Sequence, residues 1–179
     1  MEPLIIDRPE LIDEKFRRVI TCDPNPYFQL AYSIPEFSHY KRRNSVGMET
    51  IFPQPNKNIC ACGCGKKLPK RRKRWASDQC RDFAFYITQI IIGDAQIIRT
   101  VMRELYSEQC FICGKSDNDF QIPENPTKSL QYEMATKIHL DHIIPVHQGG
   151  GSLWLDNYQF LCIDCHKKKS KEERKIAHK

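Results

Sequence analysis

Apolar residues recur at helical spacing in two parts of the chain. Leu11, Ile12, Phe16, Val19 and Ile20 predict one amphipathic helix near the start, with Pro9 suited to its first turn. Phe83, Tyr86, Ile87, Ile90 and Ile91 mark a second apolar face, which Ile97, Ile98, Val101, Met102 and Leu105 continue. Ser77 is placed to cap that second stretch. Gly93-Asp94 either divides it into two helices or weakens one. These stripes read as core rather than as the wall of a cofactor groove. Between them, CDPNPYF, SIPEF and IFPQPN read as extended or turning chain. Beyond residue 108 the period shortens. Lys137–Ile144 alternates enough for a strand stopped by Pro145, and Tyr158–Cys162 predicts a second. Ser116–Lys128 has loop composition, Gly149, Gly150 and Gly151 allow a sharp connection, and Cys165, His166 and the lysines after them open a final helix. No internal repeat is present. The predicted class is α+β.

Three segments follow from this pattern. Residues 1–58 carry seven of the eleven prolines and no recognisable chemistry. Residues 59–107 combine a cysteine cluster, a basic run and the long helix or helix pair. Residues 108–179 hold the strand–loop–strand–helix module and a basic tail. There is no apolar run long enough for a transmembrane helix and no signal-peptide pattern, so a cytoplasmic protein without membrane contact is expected.

Nine cysteines are many for a chain expected in a reducing compartment, where clusters usually mean metal. Cys110, Cys113, Cys162 and Cys165 form one quartet. Cys60, Cys62, Cys64 and Cys80 form a second, with tighter spacing, in which Cys62 could instead point away. Four thiolates make a closed tetrahedral zinc shell, so one or two structural Zn²⁺ ions are expected. Cys22 is left over and reads as an inert, buried thiol.

The net charge of +6 is uneven. Lys66, Lys67, Lys70, Arg71, Arg72, Lys73 and Arg74 form one dense run, and Lys167, Lys168 and Lys169 begin another. Both adjoin cysteine clusters, which points to a polyanionic partner, nucleic acid, held mostly through phosphate. Trp75 is either a stacking surface or a core residue.

Within the second module the polar residues suit phosphodiester hydrolysis. That reaction needs a deprotonated water, in-line geometry and neutralised charge. Asp141 and His142 are adjacent on a strand, so their side chains point to opposite sides. The carboxylate suits a hard cation such as Mg²⁺, which leaves His142 to act as base. His166 follows Cys165 and is mounted rigidly by the zinc beside it. The thiolates already complete the zinc shell, so His166 is not needed as a zinc ligand. Asn157 can brace the loop or offer its carbonyl oxygen to the metal. His139 shares the Asp141 strand face, and His147 reads as a loop residue.

The string HLDHIIPVHQGG … LDNYQFLCIDCHKKKS resembles the HNH endonuclease family, whose core is a zinc-bearing ββα-metal finger. D-H-I-I-P, G-G, D-N-x-Q, L-C and C-x-x-C-H-x-x-K occur in order over about residues 108–171. The resemblance implies that His142 is the general base, and that Asp141 and His166 bind the catalytic divalent ion. Asn157 would steady the loop and, as in some members, bind the metal. The resemblance also implies DNA as substrate, Mg²⁺ or a similar ion as cofactor, and 5′-phosphate and 3′-hydroxyl products. The competing reading is a zinc-dependent nucleic-acid-binding protein without turnover. Oligomeric state is not legible.

Overall fold

A computed structural model of the chain describes residues 12–33, 46–120, 137–150 and 154–177. It divides into two compact units, Arg8–Leu105 and a C-terminal unit from Tyr106 to Lys179. Helices and one small two-stranded sheet make up the described residues, an α+β composition. None of the described helices is long and apolar enough to cross a membrane.

The first unit is helical. Short helices α1 (Glu14–Ile20), α2 (Asn25–Tyr32) and α3 (Met48–Ile51) accompany the longer α4 (Asp78–Ile91) and α5 (Ala95–Leu105). Asp13 caps α1 by accepting the Lys15 N–H. Residues Pro9 and Leu11, expected in the first turn of that helix, lie outside the described residues. Ser77 caps α4, its hydroxyl accepting the Cys80 N–H, as its position suggested. Gly93, at φ 76°, separates α4 from α5, so the apolar stripe is two helices rather than one. Its residues are core: Phe83, Ile87, Ile91, Ile98, Val101, Met102 and Leu105 are buried together with Phe16, Val19 and Ile51.

One expectation is corrected here. CDPNPYF is not simply turning chain, because α2 begins within it. Pro24 stands at the N-cap and Pro26 in the first turn, where a missing N–H costs nothing since those amides have no intrahelical partner. SIPEF falls almost entirely outside the described residues.

In the C-terminal unit, β1 (Ile138–His142) pairs antiparallel with β2 (Tyr158–Cys162), and α6 (Ile163–Ala177) follows β2 without a break. The register sets Asp141 opposite Gln159 and His142 opposite Tyr158. Side chains alternate across a strand. Ile138, Phe160 and Cys162 are buried on one face, while His139 and Asp141 lie on the other with Leu161. Most of the Ser116–Lys128 loop, and Gly151, lie outside the described residues.

Candidate functional site

Each cysteine quartet is gathered by a tight knuckle and a helix start. In the C-terminal unit the Cys110 N–H donates to the Lys115 carbonyl at 2.8 Å, and the Gly114 N–H donates to the Cys110 carbonyl at 2.7 Å. Gly114 takes φ 73°, a conformation that favours glycine. The Phe111 N–H donates to the Phe160 carbonyl at 2.8 Å, which fastens the knuckle to β2. Cys162 ends β2 and Cys165 lies in the first turn of α6. The four Sγ atoms lie within 4.8 Å of one another, with Cys113 and Cys162 3.6 Å apart. Sulfurs on one tetrahedral zinc are about 3.8 Å apart, so this quartet can hold zinc.

Cys60, Cys62, Cys64 and Cys80 also lie within 4.8 Å of one another. Cys62 does not point away: it is buried, 3.3 Å from the Cys60 sulfur. A residue with no local sequence signal completes this cluster. Arg18 of α1 donates to the Cys62 sulfur at 3.2 Å and to the Cys62 carbonyl at 2.8 Å. Its guanidinium lies 3.8 Å from the centre of the Phe83 ring. Four thiolates on a bound Zn²⁺ would leave two net negative charges, and Arg18 would offset one of them.

Burial pushes the Cys62 and Cys165 thiols up to about 12. Cys110 is brought down to about 6, because hydrogen bonding around Cys162, Cys113 and Ile112 outweighs its burial. Cys80 falls to about 7, its burial outweighed by hydrogen bonds from Ser77 and its fellow cysteines. Cys22 is held up at about 12 by burial, and its sulfur contacts the Val19 carbonyl at 3.2 Å.

The polar residues of the C-terminal unit meet on the face of β1 that α6 covers. Asp141 Oδ1 lies 3.8 Å from His166 Nε2. Asp141 Oδ2 accepts from Lys169 Nζ at 2.9 Å and lies 3.5 Å from Gln159 Nε2. The His139 ring stacks on His166, with centroids 5.0 Å apart and planes 20° apart. Two donors on one octahedral divalent ion are separated by roughly 3 to 4.2 Å. Asp141 Oδ1 and His166 Nε2 fit that span, and a carboxylate with an imidazole is a suitable donor set. His142 turns the other way. Its ring centroid lies 4.5 Å from that of Tyr158, so the described geometry gathers Asp141 and His166 and leaves His142 at the strand's end, on the opposite face.

Asn157 immediately precedes β2. Its side chain is 3% exposed, and its Oδ1 accepts the Ile144 N–H at 2.8 Å. Its Nδ2 donates to the Ile144 carbonyl at 3.0 Å and the Gly150 carbonyl at 2.9 Å. The amide oxygen that could serve a metal accepts from backbone here, which is the loop-bracing arrangement. A Cβ on Gly150 would fall 1.7 Å from the Ile144 oxygen and 2.8 Å from Asn157 Nδ2. Only glycine lets the chain pass this close.

The basic residues separate into two groups. Lys66, Lys67, Lys70, Arg71, Lys73, Lys167 and Lys168 are exposed. Arg72 is also at the surface, paired with Asp78 at 3.1 Å. Arg74 and Lys169 are engaged by partners within the protein. Arg74 donates to the Glu49 and Phe52 carbonyls. Lys169 donates to Asp141, Glu173 and the His142 carbonyl. Burial opposes its charge, but Glu173 and Asp141 outweigh that and hold its pKa above the ordinary lysine value. Trp75 is half-buried and edge-on to Phe52 at 6.0 Å, nearer the core reading than the stacking one.

The model of the family described as HNH endonuclease matches residues 110–172, the span that holds the Cys110–Cys165 quartet and the Asp141–His166 pair. A mouse (Mus musculus) protein, the DNA annealing helicase and endonuclease ZRANB3, is 50% identical over 36 residues. That match covers 20% of this chain and 3% of the mouse protein. No solved structure matches the chain. The chain is therefore similar to the HNH endonuclease family over residues 110–172.

Proposed function

We propose that this protein is a metal-dependent endonuclease that hydrolyses phosphodiester bonds in DNA. The observation that carries the reading is the 3.8 Å approach of Asp141 Oδ1 and His166 Nε2, one residue from His142. These two side chains would hold the divalent cation, Mg²⁺ or a close equivalent. When bound, that ion supplies Lewis-acid stabilisation of the phosphate and the leaving oxygen.

The chain's own residues supply the rest. His142 accepts the proton of the attacking water, as a neutral imidazole can do. In-line displacement sets the attacking and leaving oxygens on opposite sides of phosphorus. A base on the strand face away from the ligand pair is compatible with that arrangement, and the ring of Tyr158 limits where the imidazole can turn. The exposed lysines and arginines from Lys66 to Lys73, with Lys167 and Lys168, would contact backbone phosphates and contribute affinity rather than sequence preference. The two cysteine quartets would each carry a structural zinc.

The test is incubation of supercoiled plasmid with the full chain and Mg²⁺, with and without EDTA, beside His142→Ala. The expected result is EDTA-sensitive nicking or linearisation, reduced roughly 10²- to 10⁴-fold by the substitution, with circular dichroism and DNA affinity retained. DNA binding without cleavage in Mg²⁺ or Mn²⁺ would instead establish the non-catalytic reading. Wild-type cleavage by His142→Ala would remove His142 from the role of base.

A further inference from the structure

Lys169 sits one turn beyond His166 on the same face of α6, and its ammonium is committed in three directions. Nζ donates to Asp141 Oδ2 at 2.9 Å, to the His142 carbonyl oxygen at 2.8 Å, and to Glu173 a further turn along. An ammonium has three protons, so these acceptors use its full capacity. The side chain is 18% exposed.

The arrangement divides the two oxygens of Asp141. Oδ2 is taken by Lys169, with Gln159 Nε2 3.5 Å away, while Oδ1 faces His166. The ammonium approaches the oxygen that His166 does not face. The same nitrogen holds the backbone carbonyl of the residue whose side chain is the proposed base. Glu173 offsets the lysine charge, which limits its repulsion of a divalent ion nearby.

We propose that Lys169, steered by Glu173, is a positioning residue: it presents Asp141 to the catalytic cation through one oxygen only and fixes the backbone of His142. This rests on the metal-binding reading of Asp141 and His166. Without the lysine, the carboxylate is free to swing or to chelate through both oxygens, and a nearby positive charge is lost. Metal binding should then persist while the geometry for attack is lost. A residue that served only to hold the fold would lose metal binding and stability together.

The experiment compares wild type, Lys169→Met, Glu173→Gln and Asp141→Asn as full chains. Mn²⁺ affinity is measured by titration of the free-ion electron paramagnetic resonance signal, cleavage by plasmid nicking, and folding by thermal melting. Lys169→Met should bind Mn²⁺ no more weakly than wild type, with kcat lower by roughly 10- to 100-fold and a melting temperature close to wild type. Glu173→Gln, which leaves the lysine in place, should lower kcat by a smaller factor and covers the case in which Lys169→Met does not fold. Asp141→Asn should weaken Mn²⁺ binding. Unchanged kcat in Lys169→Met and Glu173→Gln would overturn the proposal, and so would a joint loss of Mn²⁺ binding and melting temperature in both. If Asp141→Asn binds Mn²⁺ like wild type, the metal-binding reading itself fails and the role of Lys169 falls with it.

Discussion

Asn157 and Ile144 are joined twice: the amide oxygen of one accepts the other's N–H at 2.8 Å, and its amide nitrogen donates to the same residue's carbonyl at 3.0 Å. One side chain thus closes the turn that leaves β1 directly after His142. Asn157→Ala would strand these backbone groups and the Gly150 carbonyl, at a cost of about 1–3 kcal/mol for each group left unsatisfied. Asn157→Asp should be at least as damaging, because it sets a carboxylate against two carbonyl oxygens. Thermal unfolding of the two variants checks this. A ligand role predicts the reverse order, since a carboxylate would serve a divalent ion well.

Gly150 meets the same turn from the other side. Gly150→Ala should lower stability by about 1–3 kcal/mol or more, the range for forcing extra volume into a filled space, because the intruded atom is backbone and cannot step aside. Chemical denaturation gives the number. A variant as stable as wild type would show that the Ile144 carbonyl has room to move.

Zinc loading should depend on pH in a defined direction. The Cys62 and Cys165 thiols, pushed up to about 12 by burial, keep their protons at neutral pH until a metal displaces them. Acid therefore favours the metal-free form, and the apparent zinc affinity of both quartets should rise with pH through the neutral range. Calorimetry in buffers of different ionisation enthalpy would read the released protons directly. Metal analysis should return two zinc ions per chain. Binding without proton release would contradict the thiol assignment.

Arg18 joins α1 to the first quartet, so Arg18→Ala should weaken that zinc alone. A loss of roughly 10- to 100-fold is expected for removing a hydrogen-bond partner of a ligand. Zinc release followed with a chromogenic chelator should become biphasic, with the faster phase belonging to the Cys60–Cys80 site. Arg18→Lys should recover only part of the affinity, because an ammonium lacks the planar fork that reaches the sulfur and the carbonyl together.

Much of this architecture was legible because local chemistry and period agreed. Ser77 before an apolar stripe reads as a cap and is one. Tyr158–Cys162 forms the strand that its composition predicts. The cysteine spacings gave both quartets. What the sequence hid depends on where elements meet in space. Proline twice in CDPNPYF looks like a turn, and only the docked helix reveals that both occupy harmless positions. Lys167, Lys168 and Lys169 are chemically alike along the chain, yet the phase of α6 exposes the first two and turns the third toward Asp141. Arg18 lies 44 residues from Cys62, so no local pattern could connect them. Asn157 carried two possible roles because an amide oxygen suits either a cation or an N–H. Its backbone partners at Ile144 become visible only in three dimensions.

Helix α6 carries Cys165 and His166 in its first turn and Lys169 and Glu173 in the next two. Each residue advances the helix by about 100°. Adding or deleting one residue after Cys165 would leave the thiolate quartet whole while rotating His166, Lys169 and Glu173 away from Asp141 as a block. This stretch should accept conservative exchanges far more readily than any change of length, and a one-residue insertion there should spare the thiolate cluster while dismantling the proposed cation site.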